Sequence, residues 1–353
     1  MFLKYIYSMS SKRITIYDLA KELGLSVSYV SKALNNKPGV KEEVRVTVLK
    51  KAAELNFKHN TQAANLRRGS SRTLGVIVPQ INQNFFSEAI SGIEKACTEN
   101  KHNLIICQSH EKSDIEETAI ETLIHQNVDC ILISLSKETQ SAKVLEQVLE
   151  HKINVVQFDR CDENFPGHRV LNDNKHATYK ATKSMIDEGF QRLAFIGGPL
   201  HMDLFADRKE GFIKAIDEAG MQVPDNFIVD GNISKEAAFQ TALKLLALPE
   251  PPDAFLAISD LQAMGIIMAI TQSGLRIPHD VGVFGYANEP FTEIISPSIS
   301  TVDQNSEKLG YEAAMVYFDH ILKKDSDEII TKIIESDLII RSSSKRSNIP
   351  VIL

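Results

Sequence analysis

The chain has 353 residues, 43% hydrophobic and 24% charged, with 4 cysteines and a formal net charge of −7. That composition has room for two or three domains and excludes wholesale disorder, and no apolar run approaches the ~20 residues a membrane span requires. Cys97, Cys107, Cys130 and Cys161 show neither a C-x-x-C pair nor metal-type His spacing, so they read as reduced, mostly buried thiols. The start "MFLKYIYSMSSKR" lacks the h-region and cleavage site of a signal peptide. A cytoplasmic protein without metal, cofactor or membrane contact is expected.

Charge is unevenly spread. Residues 1–72 carry 14 Lys and Arg against 5 Asp and Glu, and the remainder carries 25 against 41. A basic block on an acidic body points to a small DNA-binding head on a larger sensor or enzyme.

The first predicted element opens at "TIYD", where Thr15 and Asp18 have the spacing of a capping box and Ile16, Leu19, Ala20 and Leu23 follow at helical intervals. Gly24 suits the left-handed close of that helix, Leu25 plugs the corner, and Ser26 is a good N-cap for a second helix. Together these are a helix-turn-helix. On the second helix Val30, Ala33 and Leu34 share the inward spacing, which leaves Val27, Ser28, Ser31 and Lys32 outward and Tyr29 at the edge. That acid-free face suits the major groove: Ser26 and Ser31 donate to phosphates, Val27 meets a thymine methyl, and Lys32 reaches guanine O6 and N7. A helical hairpin with a Ser-rich solvent face has the same spacing. A third helix from about Lys41 to Leu55, using Val44, Val48, Ala52 and Leu55, closes this head.

After "GSSRT" apolar, branched runs alternate with helical segments: "LGVIVP", "NLIICQS", "CILISL", "NVVQFD", "RLAFIGG", "FIVDG", "DAFLAIS" and "VGVFGYA". These are parallel strands covered on both faces, too many for one compact unit. The expected fold is a small all-α helix-turn-helix head (11–58), a linker (59–72) and an α/β core (73–345) of two doubly wound parallel-sheet lobes. Lobe 1 is placed at about 73–171 and 301–330, lobe 2 at about 172–300 and 331–345. A small ligand belongs in the cleft at the strands' carboxyl ends. The residues expected there are Pro79, Gln80, Phe85 (an aromatic face for a sugar), Asp159, Arg160, Arg208, Ser259, Asp260 and Asn288; each, taken alone, also fits a surface salt bridge or cap.

The long ordered stretch "TIYDLAKELGLSVSYVSKALNNKPGVKEEVRVTVLKKAAELNFKHN", followed by "AANLRRGSSRTLGVIVPQINQNFFSEAISGIE", resembles the lactose-repressor/galactose-repressor family of bacterial transcription regulators. The likeness covers nearly the whole chain after Ser11. It implies a core of the periplasmic-binding-protein type I architecture and base reading by Val27, Ser28 and Lys32, with Lys32 where many members have Arg. It further implies a hinge helix over Thr61 to Arg67, N-capped by Asn60, with Leu66 as a minor-groove wedge and Arg67 near phosphates. Thr15, Tyr29, Asn35 and Ala63 complete the expected DNA-facing set. The resemblance singles out Arg208 and Asp260 for ligand hydroxyls or anionic groups; Ile233 and Ala287 depart from sugar-binding members that have an aromatic and Asp there.

The expected function is a homodimeric, with tetramerisation as a further option, sequence-specific repressor of double-stranded operator DNA. A small effector, a sugar or sugar derivative, controls it, and the protein is cytoplasmic and nucleoid-associated. The rival readings are a solute-binding protein or an enzyme on the two-lobe core. The sequence has no G-x-G-x-x-G after the first strand, no P-loop and no G-x-S-x-G, which speaks against an enzyme.

Overall fold

A computed structural model of the chain describes residues 14–57, 70–139, 142–231, 233–323 and 328–346. Two compact units divide at Ser70. The expected hinge residues Asn60, Thr61, Ala63, Leu66 and Arg67 lie outside the described residues.

In the head, α1 (Ile16–Leu23), α2 (Val27–Leu34) and α3 (Glu42–Glu54) enclose a core of Leu19, Ala20, Val30, Ala33, Val48 and Ala52. The capping box forms: the Asp18 amide donates to Thr15 Oγ1 at 3.3 Å, and the Thr15 amide donates to Asp18 Oδ2 at 2.9 Å. Gly24 closes α1 at φ +64°, and its N–H reaches the Ala20 and Lys21 carbonyls. Ser26 Oγ accepts the Tyr29 amide at 3.2 Å, starting α2. Thr15→Ala is expected to cost the head about 1 kcal/mol, checked as a lower-melting head transition by calorimetry with the core transition unmoved.

The core's first sheet has the order β11-β5-β4-β3-β1-β2 and is parallel throughout. Its strands are β1 (Thr73–Val78), β2 (Asn103–Gln108), β3 (Cys130–Ile133), β4 (Asn154–Phe158), β5 (His168–Asn172) and β11 (Thr331–Ile334). On it pack α4 (Asn84–Glu99), α5 (Ser113–His125), the short α6 (Glu146–Glu150) and α12 (Ser306–Val316). The second lobe is a four-stranded parallel sheet of β7 (Ile228–Val229), β6 (Leu193–Ile196), β8 (Ala254–Ala257) and β9 (Gly282–Phe284), in that order. Around it lie α7 (Asn174–Asp187), α8 (Asp203–Glu218), α9 (Lys235–Leu246), α10 (Asp260–Gln272) and α11 (Phe291–Ile294).

The chain crosses between lobes three times, at 172–174, 303–305 and 334–337. The last return comes after Ile334, because β11 pairs with β5; residues 331–334 therefore belong to lobe 1, not lobe 2. At the crossings β10 (Thr301–Asp303) pairs antiparallel with β12 (Asp337–Ile339). Side chains lash the three connectors together. Asn172 Nδ2 donates to the Gln304 carbonyl at 2.7 Å, the Ser336 amide donates to Asp173 Oδ1 at 2.8 Å, and Asn305 Nδ2 donates to the Glu335 carbonyl at 3.0 Å.

Helices α4 and α12 cross at glycine. A Cβ on Gly92 would collide with the Glu307 carbonyl, and one on Gly310 with the Ala89 carbonyl. Bare backbone at both positions lets the two helices touch.

Candidate DNA-reading face and effector cleft

In the head, Ser26, Ser28 and Lys32 are exposed, while Tyr29 and Ser31 are half-buried. Helix α2 carries no acid. Val27, expected outward, is half-buried and packs on the head's core; it opens the first turn, where a side chain leans back toward the preceding corner. Thr15 is engaged by its own cap, Oγ1 donating to Asp18 Oδ2 at 2.7 Å. Asn35 ends α2, its Nδ2 donating to the Ser31 carbonyl at 2.8 Å.

Between the lobes a cavity of about 290 Å³ is lined by Gln80, Phe85, Asp159, Arg160, Arg208, Ser259 and Asp260 among the expected residues. Pro79 and Asn288 do not line it. Pro79 is buried behind the end of β1. The backbone of Asn288 is left-handed, at φ 53°, and its amide group turns away, donating to Asp303 Oδ2 at 2.9 Å and accepting from Arg341 at 3.0 Å.

Arg208, only 4% exposed, is spoken for on several sides. Its Nε donates to Asn174 Oδ1 at 2.8 Å and its Nη1 to the Ile258 carbonyl at 2.9 Å, and the guanidinium lies 3.6 Å from the centre of the Tyr286 ring. Burial pulls its pKa down, with Tyr286 and Asp159 opposing. Arg160 is held by Glu111, with Nη1 contacts of 3.0 and 2.8 Å, and sits over the Phe86 ring. Burial raises Asp159, offset by the two arginines and a Ser134 hydroxyl at 3.3 Å.

Ser259 caps α10, its Oγ accepting the Gln262 amide at 3.3 Å. Asp260, the next residue, accepts the Glu289 amide at 2.8 Å and the Thr301 hydroxyl at 2.7 Å, so one carboxylate ties α10 to the loop after β9 and to a crossing strand. Burial pushes its pKa up to about 6. The folded state therefore holds a proton that the unfolded chain releases between about pH 4 and 6, and stability falls as pH rises through that window. Asp260→Asn is expected to remove this slope, worth up to roughly 3 kcal/mol, from denaturant midpoints measured between pH 4 and 7.

Sequence reasoning missed Phe86, Glu111, Tyr286, Glu289 and Gln304, all of which line the cavity. Phe86 follows Phe85 in the first turn of α4, and Tyr286 stands just past the end of β9 and before Ala287, so an aromatic beside residues already noted was the available signal; Glu111, Glu289 and Gln304 stand in loops and crossings with no local signature. A second chamber of about 270 Å³ adjoins the first, sharing Asp159, Arg160 and Leu204 and including Cys161, His201, Asp203 and Asp207. Burial and neighbouring carboxylates raise Asp203 and Asp207.

A two-lobed α/β cleft on a chain with a helix-turn-helix head is the build of a ligand-responsive DNA-binding regulator. Residues 15–60 match the bacterial regulatory proteins of the lacI family, and residues 71–342 match the periplasmic binding proteins and sugar binding domain of the LacI family. The chain belongs to the LacI family, whose members are transcription regulators and not enzymes. It is 30% identical over 335 residues to the HTH-type transcriptional repressor PurR of Vibrio parahaemolyticus, covering 95% of this chain and 99% of that one. The PurR of Pasteurella multocida is also 30% identical, over 94% and 98% of the two chains. Among solved structures, the lac repressor dimer bound to operator and the anti-inducer ONPF superposes with a TM-score of 0.83 at 22% identity, covering 95% and 100%. The CelR–cellobiose complex superposes with a TM-score of 0.70 at 25% identity, covering 94% and 100%. The chain is thus a DNA-binding transcriptional repressor of this family with a ligand-binding domain. Among the described residues no helix is long and apolar enough to cross a membrane, and no cluster fits a metal ion.

Proposed function

We propose that this repressor binds a near-palindromic operator as a homodimer and that a sugar or sugar derivative in the inter-lobe cleft controls its affinity. The observation that carries the reading is one chain holding both an acid-free, hydroxyl-rich α2 face and a cavity walled by Phe85, Asp159, Arg208 and Asp260. Carboxylates and arginines beside aromatic rings suit a hydroxylated ring compound, which hydrogen-bonds around its edge and stacks on its face. The cellobiose of the CelR complex is in keeping with that class.

In this reading Ser28 and Lys32 address base edges, Ser26 and Ser31 address phosphates, and Thr15, Val27, Tyr29 and Asn35 support the face. Asn60, Ala63, Leu66 and Arg67 form the DNA-ordered hinge. Two heads read two half-sites, as two-fold symmetry requires, in the cytoplasm and on the nucleoid; a tetramer would pair two such dimers. Closure of the lobes on ligand shifts the dimer's first lobes and so orders or melts the hinges.

The test is selection of bound duplexes from a random pool at near-physiological salt. A palindrome with a fixed centre is expected, and it then serves as the probe for a panel of sugars, sugar phosphates and nucleobases. Unbiased recovery would overturn the operator reading. With that palindrome in hand, Lys32→Ala is expected to weaken specific binding by about 10- to 100-fold and to relax preference at one base position, read by titration against duplexes substituted there. Leu66→Ala should weaken binding to the palindrome while leaving random DNA nearly unaffected; equal loss on both would remove Leu66 from the wedge role.

A further inference from the structure

The core unit begins at Ser71, and the chain upstream of it leads to the head. At that entry one carboxylate gathers the backbone. Asp129, the residue before β3, accepts the Ser71 amide on Oδ1 at 2.7 Å and the Arg72 amide on Oδ2 at 2.8 Å, and the Ser71 hydroxyl reaches Oδ1 at 3.2 Å. Arg72 stands in the left-handed region at φ 51°, a conformation that a residue with a side chain adopts at some cost and keeps only when its partners hold it there. Two successive amides turned to one side form an anion-binding concavity, filled here by the protein's own acid. The Asp129 side chain is only 10% exposed, and the His102 ring stands behind it with Nε2 4.0 Å from Oδ2.

The anchor is itself fixed to the middle of the first sheet. The Asp129 amide donates to the Thr73 carbonyl at 2.8 Å, and Asn154 Nδ2, at the start of β4, donates to the Asp129 carbonyl at 3.2 Å. From there β3 runs between β1 and β4 to the cleft, where Ser134 donates to Asp159 and Leu135 and Ser136 line the second chamber. One short strand thus has the entry of the linker at one end and the cleft at the other.

We propose that Asp129 is a positioning residue for DNA binding: its carboxylate fixes the point where the linker joins the core, so that the heads are held ready for their half-sites. The inference rests on the operator reading above. Backbone N–H groups donating to a carboxylate make strong, directional bonds, and without them the entry samples many conformations that operator binding must then narrow. Random DNA, held through phosphate charge, makes no such demand on placement.

The test pairs hydrogen exchange at the Ser71 and Arg72 amides, measured without DNA, with titration of the full chain against the palindrome selected by the wild type and against random duplex. In Asp129→Ala exchange at both amides should rise by at least about tenfold, and affinity for the palindrome should fall by about tenfold with random duplex unchanged. Asp129→Asn keeps the shape but turns an NH2 group toward one of the two amides, so both readouts should move the same way; it decides the matter if the alanine variant fails to fold. Asn154→Ala loosens the same strand end without touching the carboxylate and should leave both readouts at wild-type values. Faster exchange with unchanged affinity for the palindrome would make Asp129 a local structural cap and overturn the proposal, as would unchanged exchange, equal loss on both duplexes, or an equal loss in Asn154→Ala. A wild type that prefers no duplex would overturn the operator reading and this inference with it, whereas a palindrome bound equally well by wild type and Asp129→Ala overturns the anchor alone.

Discussion

Gly92→Val is expected to lower the stability of the core by on the order of 3 kcal/mol and its melting midpoint by roughly 10 °C. The new side chain would meet the Glu307 carbonyl and the Tyr311 amide, which are backbone atoms of α12 and cannot swing aside. The helices would have to separate, opening the packing of Ala89, Ile93 and Ala96 against Leu309 and Ala313. Scanning calorimetry of the intact protein checks it, and a midpoint within 2 °C of wild type, well inside the roughly 2–4 °C that a single kcal/mol moves, would show that the crossing has slack. The same geometry recurs where Gly211 of α8 faces the Lys175 carbonyl and Gly265 of α10 faces the Lys235 carbonyl, so each of the three helix pairs has its own bare crossing point.

Arg208→Ala should abolish the response to any cleft ligand, with affinity lower by at least about 100-fold, while ligand-free protein still binds its operator at room temperature. The loss has two parts. The ligand loses its guanidinium, and Asn174 Oδ1 and the Ile258 carbonyl lose donors they have in the folded core. The second part is also expected to depress the melting midpoint. Arg208→Lys separates the two, since an ammonium keeps the charge yet cannot span Asn174, Ile258 and the Tyr286 ring together. Calorimetric ligand titration beside operator titration is the measurement, and an intact ligand response in Arg208→Ala would take this residue out of the pocket.

The head was legible because its signals are local. A capping box, a left-handed glycine and an N-cap serine each act on partners within four residues along the chain, and each forms the bond its spacing implies. The central strands were legible as continuous apolar runs. Strands β5, "HRVLN", and β11, "TKII", were not, since they lie at the outer side of the sheet and mix polar with apolar residues. Their pairing joins segments far apart in the chain, and periodicity carries no trace of it. The same limit governs the cleft. The strand-end rule brings Gln80, Asp159, Arg160, Ser259 and Asp260 to the cavity wall, but it says which end of a strand a residue occupies and not which way it turns. Pro79 and Asn288 share that end without lining the cavity, and Glu111, Glu289 and Gln304 reach it only through the tertiary arrangement.

Because β11 and α12 come from the last part of the chain, lobe 1 is not one continuous stretch of sequence. A ribosome that has released the head and residues up to Asp303 has made most of the first sheet but neither the helix that covers α4 nor the strand that completes its edge. Leu74, Ile93, Val156 and Phe158 would then lack part of their apolar cover, the condition that invites aggregation and proteolysis. A chain cut short between the end of the head and Asp303 would thus carry the whole head core on a lobe still missing its covering helix and outer strand, so loss of the last part of the sequence weakens the core and leaves the head's own packing untouched.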